Sequence, residues 1–185
     1  MVANFELQPE AKEMQQLADQ YWNETGVQEH ELEAAAYEAG SAIRNGELTL
    51  TNLEIIVRWK SERAVNYLIG NSNESIRAAL ATVIAPQSTP AVAVEALTAL
   101  RGIDIVMASA VLAAIFPERY AVLDVRALEA LGHARHDVRF YTEYNHFMQR
   151  LVECGVIQPQ SDLPGPTPLQ AAERALCQWA RSHSH

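Results

Sequence analysis

The sequence predicts an all-α fold. Apolar residues recur three and four apart along most of the chain, and capping and stopping residues divide it into runs of helical length. No run alternates apolar and polar residues over the length of a strand; residues 120–123 form the only short β-like stretch. An apolar fraction of 49% supports a true core, and 185 residues suffice for one domain, or for two small lobes that share that core.

Residues 9–23 read as an amphipathic helix with Ala11, Met14, Leu17, Ala18 and Tyr21 on one side. Residues 29–45 form a second helix, acidic early and basic late, as the helix dipole favours, and Asn45-Gly46 ends it. Thr51 is a plausible cap for the next helix, with Glu54 completing a capping box. That helix runs to Lys60, and Ser61 starts another whose Ala64, Val65, Leu68 and Ile69 face inward. The Gly70-Asn71-Ser72-Asn73 turn interrupts it before a helix over residues 74–84. Ser88 or Thr89 caps a run over residues 92–100, with Pro90 near its start. Gly102 stops that run, because glycine accepts the left-handed conformation a helix end requires. Asp104 caps the following helix, whose Ala108, Ser109, Ala110, Ala113 and Ala114 permit close packing, and Pro117 ends it. Asp124 stands at the start of a further helix. A polar loop over residues 132–138 precedes a helix over residues 142–154, with Tyr144, Phe147, Met148 and Leu151 inside. A loop over residues 161–166 leads to the last helix, residues 167–182, with Leu169, Ala172, Leu176 and Trp179 as its buried stripe.

Composition removes several classes of function. No apolar run is long enough for a membrane span, and the N-terminus lacks the charged and apolar regions of a signal peptide. Cys154 and Cys177 are far apart, which fits a reducing cytoplasm and excludes a four-cysteine iron–sulfur cluster. The six histidines show no metal-ligand spacing, so neither a metal nor a cofactor is expected. The net charge of −9 opposes DNA binding if taken globally. Its distribution does not, because residues 1–50 hold ten acidic against two basic residues, while residues 51–150 hold ten of each.

The run ALTALRGIDIVMASAVLAAIFPERYAVLDVRALEAL, residues 96–131, resembles the helix-hairpin-helix family of DNA glycosylases. Leu100, Gly102 and Ile103 match the hairpin, here residues 92–116, Ala108-Ser109 match the small-residue helix, and Asp124 matches the catalytic Asp. The resemblance implies a two-lobed, all-α glycosylase fold with its active site in the cleft between lobes. It also implies that residues 1–185 form one domain, in which the acidic helices of residues 1–50 pack on a helical core over residues 51–185. Two positions depart from the family pattern. Asp104 replaces the second hairpin glycine, and Val106 replaces the Schiff-base lysine of the members that also cut the strand. The second departure resembles the monofunctional branch.

YLIGNSNESIR, residues 67–77, is similar to the Asn-rich turn of 8-oxoguanine glycosylases, which fills the hole left by a flipped base. In this chain Asn71 or Asn73 would be the wedge; an ordinary turn with a helix cap is the competing reading. Trp59, Lys60, Tyr67 and Tyr120 are candidates for the base pocket, offering aromatic faces and polar groups. Arg101, Gly102, Ile103 and Asp104 of the hairpin, together with Arg63, Arg126 and Arg135, are candidates for contacts to the DNA backbone. Trp59 also reads as core, and the basic residues also read as a solvated face.

These residues imply a monomeric, cytoplasmic, monofunctional glycosylase acting on double-stranded DNA that carries a modified base. Asp124 is its catalytic carboxylate, and an abasic site is its product. The expected substrates are oxidised guanine, then a hypermodified or glycosylated base of phage DNA removed in defence, then alkylated purines. A non-catalytic hairpin module that binds DNA or a protein is the alternative.

Overall fold

The structure is a computed structural model and describes residues 5–133, 138–157 and 167–183. It is 72% helix, with no strand among the described residues. In chain order the helices are α1 (Met14–Glu24), α2 (Val27–Arg44), α3 (Leu50–Lys60), α4 (Glu62–Leu68) and α5 (Asn73–Ile84). There follow α6 (Pro90–Thr98), α7 (Ile105–Ile115), α8 (Val125–Glu129), α9 (Val138–Glu153) and α10 (Pro168–His183). No helix among the described residues is long and apolar enough to cross a membrane.

Packing divides the chain into two compact units, Met1–Gly26 with Pro117–His185, and Val27–Phe116. The division falls at residues 26 and 116, so the two acidic N-terminal helices belong to different units.

In the unit formed by Val27–Phe116, α7 is the centre. Every residue from Met107 to Ile115 is buried, as a helix apolar on all sides must be. α2, α3 and α6 pack on it. At the crossing with α2, a Cβ added to Gly40 would lie 2.1 Å from the Ala114 carbonyl oxygen, so only glycine permits this approach. Side-chain oxygens begin the helices. Thr49 accepts from Asn52 N–H, Ser61 from Ala64, Ser72 from Ser75, Thr89 from Val92 and Asp104 from Met107. The cap of α3 is therefore Thr49, two residues before the expected Thr51, which is helical. Asn73 is already the first residue of α5.

In the other unit, α10 packs on α1, α8 and α9. It is buried nearly all round, including Gln170, Glu173, Arg174 and Gln178, which the apolar stripe left on an outer face. Arg174 lies over the Trp22 ring at 4.7 Å, Arg181 over Tyr21 at 4.4 Å, and Gln178 donates to Glu24 at 2.9 Å. Trp179, expected in the core stripe, instead stacks on His183 at 4.3 Å, partly exposed. The helix expected over residues 9–23 opens with a tight turn at Ala11–Glu13 before α1. Phe5 closes the unit's other side against His133, Phe140, Tyr144 and Phe147.

Candidate functional site

Residues 120–123 do not form a strand, although all four side chains are buried. Their backbone polar groups cannot be left without partners in the interior, and side chains of α9 supply them. Asn145 accepts from Ala121 N–H at 2.8 Å and donates to the Arg119 carbonyl at 2.9 Å. The Tyr141 hydroxyl donates to the Ala121 carbonyl at 3.2 Å, and Tyr144 to that of Val122 at 2.9 Å. Gln149 adds a second bond to Arg119 at 2.9 Å. Tyr141 is three residues before Tyr144 and four before Asn145, and Gln149 is four after Asn145, so one face of α9 takes the place of a neighbouring strand.

This mount ends at Asp124, whose Oδ1 accepts from Arg126 N–H at 2.8 Å and caps α8. Asp124 is partly exposed, while Val125 and Arg126 beside it are exposed. An oxygen of Asp124, an oxygen of Glu173 and the Cys177 sulfur all lie within 4.8 Å of one another. Glu173 is only 9% exposed and Cys177 3%. The Cys177 thiol donates to Glu173 at 3.5 Å. Among the described residues this group could hold a metal ion, through two hard carboxylates and one soft sulfur. Burial pushes the Tyr144 hydroxyl well above the usual tyrosine range, with Glu173, Cys177, Asp124 and Tyr141 adding to the rise. Tyr144 therefore stays a neutral donor to the mount.

Neither Glu173 nor Cys177 stood out in the sequence. Both lie about fifty residues from Asp124, on a helix whose apolar stripe points elsewhere. The available signal was the i, i+4 spacing of an acid and a cysteine among small residues, which puts both on one face.

The hairpin residues belong to the unit formed by Val27–Phe116. Gly102 has φ 87°, and a Cβ there would lie 2.8 Å from the Ala64 carbonyl oxygen and 2.9 Å from Leu68 N, so the turn packs directly on α4. Asn71 ties it down. Its Nδ2 donates to the carbonyls of Leu68 at 2.8 Å and Arg101 at 3.0 Å, and its Oδ1 accepts from Arg101 N–H at 2.9 Å. The Asn71 amide is thus engaged with the hairpin, whereas Asn73 is exposed at the start of α5. Ile103 is buried, and Asp104 is exposed with its Oδ1 on Met107 N–H at 2.8 Å. An open depression of about 400 Å³ runs beside them, lined by Ser61, Ala64, Gly102, Ile103, Asp104 and Met107.

Of the base-pocket candidates, Trp59 is half-buried and packs on Tyr37 at 5.6 Å. Lys60 lies over its ring at 4.4 Å. Tyr67 is 60% exposed, four residues after exposed Arg63 on α4. Tyr120 is 3% exposed and belongs to the Asp124 mount in the other unit. Arg101 and Arg126 are exposed; Arg135 lies outside the described residues.

Comparisons with known protein families, with curated proteins and with solved structures find no match.

Proposed function

We propose that this chain is a monofunctional DNA glycosylase. It takes a modified base out of double-stranded DNA and hydrolyses the N-glycosidic bond, leaving an abasic site. The observation that supports this best is Asp124, a partly exposed carboxylate at the end of a buried segment that α9 holds by its main chain. Cleavage of the bond builds positive charge on the deoxyribose. A carboxylate fixed in position stabilises that charge without having to reorganise. The residue at the family's lysine position is Val106, so water is the nucleophile and no covalent adduct forms. The protein acts as a cytoplasmic monomer and needs no cofactor. Oxidised guanine is the first substrate to test, then a hypermodified base of phage DNA, then alkylated purines. With Asn71 engaged at the hairpin, Asn73 is the exposed amide left for the wedge.

The deciding experiment compares wild type with Asp124→Asn on duplexes that each carry one modified base, phage DNA included, scored for abasic sites. Asn caps a helix about as well as Asp, so the variant keeps α8. Its rate should fall on the order of 10²–10³-fold with DNA affinity retained. Equal rates would remove Asp124 from the chemistry.

A second reading, a hairpin module that binds DNA or protein without catalysis, is favoured by one feature. Asp104 puts a carboxylate at the helix start where a phosphate would be received. DNA binding with no base release on any duplex would select it.

A further inference from the structure

Two large apolar side chains at the end of α4 stand in solvent. Tyr67 is 60% exposed and Ile69 56%, on either side of Leu68, which is buried. Neither the ring nor the hydroxyl of Tyr67 has a partner among the described residues. Apolar side chains clustered in solvent mark a surface that meets a ligand or a partner. The hairpin brings charge to the same surface. A Cβ built on Gly102 would lie 3.0 Å from the Tyr67 Cβ, and one built on Gly70 would lie 3.3 Å from Arg101 Nη1. The Arg101 guanidinium therefore lies against the turn after α4, and the hairpin backbone against the root of Tyr67. Arg63 is one turn before Tyr67 on the same face of α4. Arg63 and Arg101 are exposed, and their guanidinium groups make no ion pair or hydrogen bond among the described residues. Arg58, by contrast, is held by Glu54 and Glu62. The three hydrogen bonds of Asn71 tie the Arg101 peptide to the end of α4, so this surface is in place before anything binds.

We infer that this surface is a binding site for single-stranded DNA, with an unpaired base stacked on Tyr67 beside Ile69, and with Arg63 and Arg101 toward the phosphates. An exposed aromatic face suits the face of a base, and a base in a duplex keeps that face inside its own stack. The local charge is close to balanced. Glu62 is taken by Arg58 and Asp104 caps α7, but Glu74 is exposed at the start of α5. Stacking rather than phosphate attraction therefore carries the binding. Two phosphates met by Arg63 and Arg101 give a shallow salt slope of about −1.4 on a single strand. The choice of DNA over RNA rests on the glycosylase reading; the stacking does not.

The test is fluorescence anisotropy at low salt with the full-length chain as wild type, Tyr67→Ala, Tyr67→Phe and Arg101→Ala. The probes are a labelled single-stranded DNA oligonucleotide, the same strand with abasic spacers for its nucleosides, its undamaged duplex, and an RNA of the same sequence. Tyr67→Ala should weaken binding of the single strand on the order of 10–100-fold and leave the duplex and the spacer strand unchanged. Tyr67→Phe keeps the ring and should bind as wild type does. Arg101→Ala, whose backbone bonds to Asn71 remain, should flatten the salt slope by about 0.7. No binding of the single strand by wild type, an equal loss on the spacer strand, or a loss that Tyr67→Phe shares would overturn the site. Tighter binding of the RNA would overturn the choice of DNA. A wild-type dimer in sedimentation that Tyr67→Ala dissociates would assign the surface to a second copy instead. Tyr67-dependent binding of the single strand, with no base release from any duplex, would remove the glycosylase reading and leave this site standing.

Discussion

Asn71→Ala separates two roles for one residue, a duplex wedge and a clip on the hairpin. The side chain makes three hydrogen bonds between the turn after α4 and the Arg101 peptide, thirty residues on. A net bond contributes about 0.5–1.5 kcal/mol, toward the low end where water replaces the partner. The bond to Leu68 is partly buried and the two to Arg101 are exposed. One bond at about 1 kcal/mol and two at about 0.5 kcal/mol give a loss of about 2 kcal/mol. With a urea slope of about 2 kcal/mol per molar, the unfolding midpoint falls by about 1 M. Hydrogen exchange at Arg101 N–H should quicken by about 30-fold, the factor equivalent to 2 kcal/mol. Asn71→Asp should be worse than Ala, since it keeps the acceptor but sets a carboxylate against two carbonyls. An unchanged midpoint together with unchanged exchange at Arg101 would refute the clip. Slower base release with full stability would assign Asn71 to the wedge instead.

Gly40→Ala should destabilise the protein in thermal or urea unfolding. The usual gain of about 1 kcal/mol for Ala in a helix interior is outweighed by overpacking of about 1–3 kcal/mol or more, because the neighbour is the rigid backbone of Ala114; a rise in the midpoint would refute that crossing. Burial raises Tyr141 and Tyr144 well above the usual range, so their stabilising effect is full below about pH 10 and is lost as pH rises toward the folded values. Each adds a slope of up to about 1.4 kcal/mol per pH unit in that window, and Tyr144→Phe should remove one share of it in urea titrations above pH 10. On the proposed function, borohydride should trap no protein–DNA adduct, since Lys12 and Lys60 are the only lysines and Val106 stands where strand-cutting glycosylases carry theirs; an adduct abolished by Lys60→Ala would reverse this. Arg63→Ala, Arg101→Ala and Arg126→Ala should each lower the salt slope of DNA binding by about one unit, and an unchanged slope in all three would show that DNA binds elsewhere.

Features set by a few adjacent residues were legible in the sequence. Ser61, Thr89 and Asp104 cap helices as expected, Gly102 takes the left-handed turn, and Pro117 follows the end of α7. Each of these is a contest among groups within one turn of helix, and the residue type decides it. The all-α class follows from many such decisions. Where two hydroxyls compete the sequence is ambiguous, and Thr49 rather than Thr51 caps α3 because its oxygen reaches Asn52 N–H.

Tertiary structure decided the rest, because it depends on residues far apart in the chain. Residues 120–123 look like a strand by composition, but a strand needs a neighbour, and α9 supplies side chains instead. Asn71 reads as a turn residue until Arg101 is beside it. The stripe through Leu169, Ala172 and Leu176 assigns Glu173 and Cys177 to an outer face. That pattern assumes one packed side, whereas α1, α8 and α9 all pack on α10 and leave no outer face there. That burial brings Glu173 to Asp124, and no local propensity encodes it.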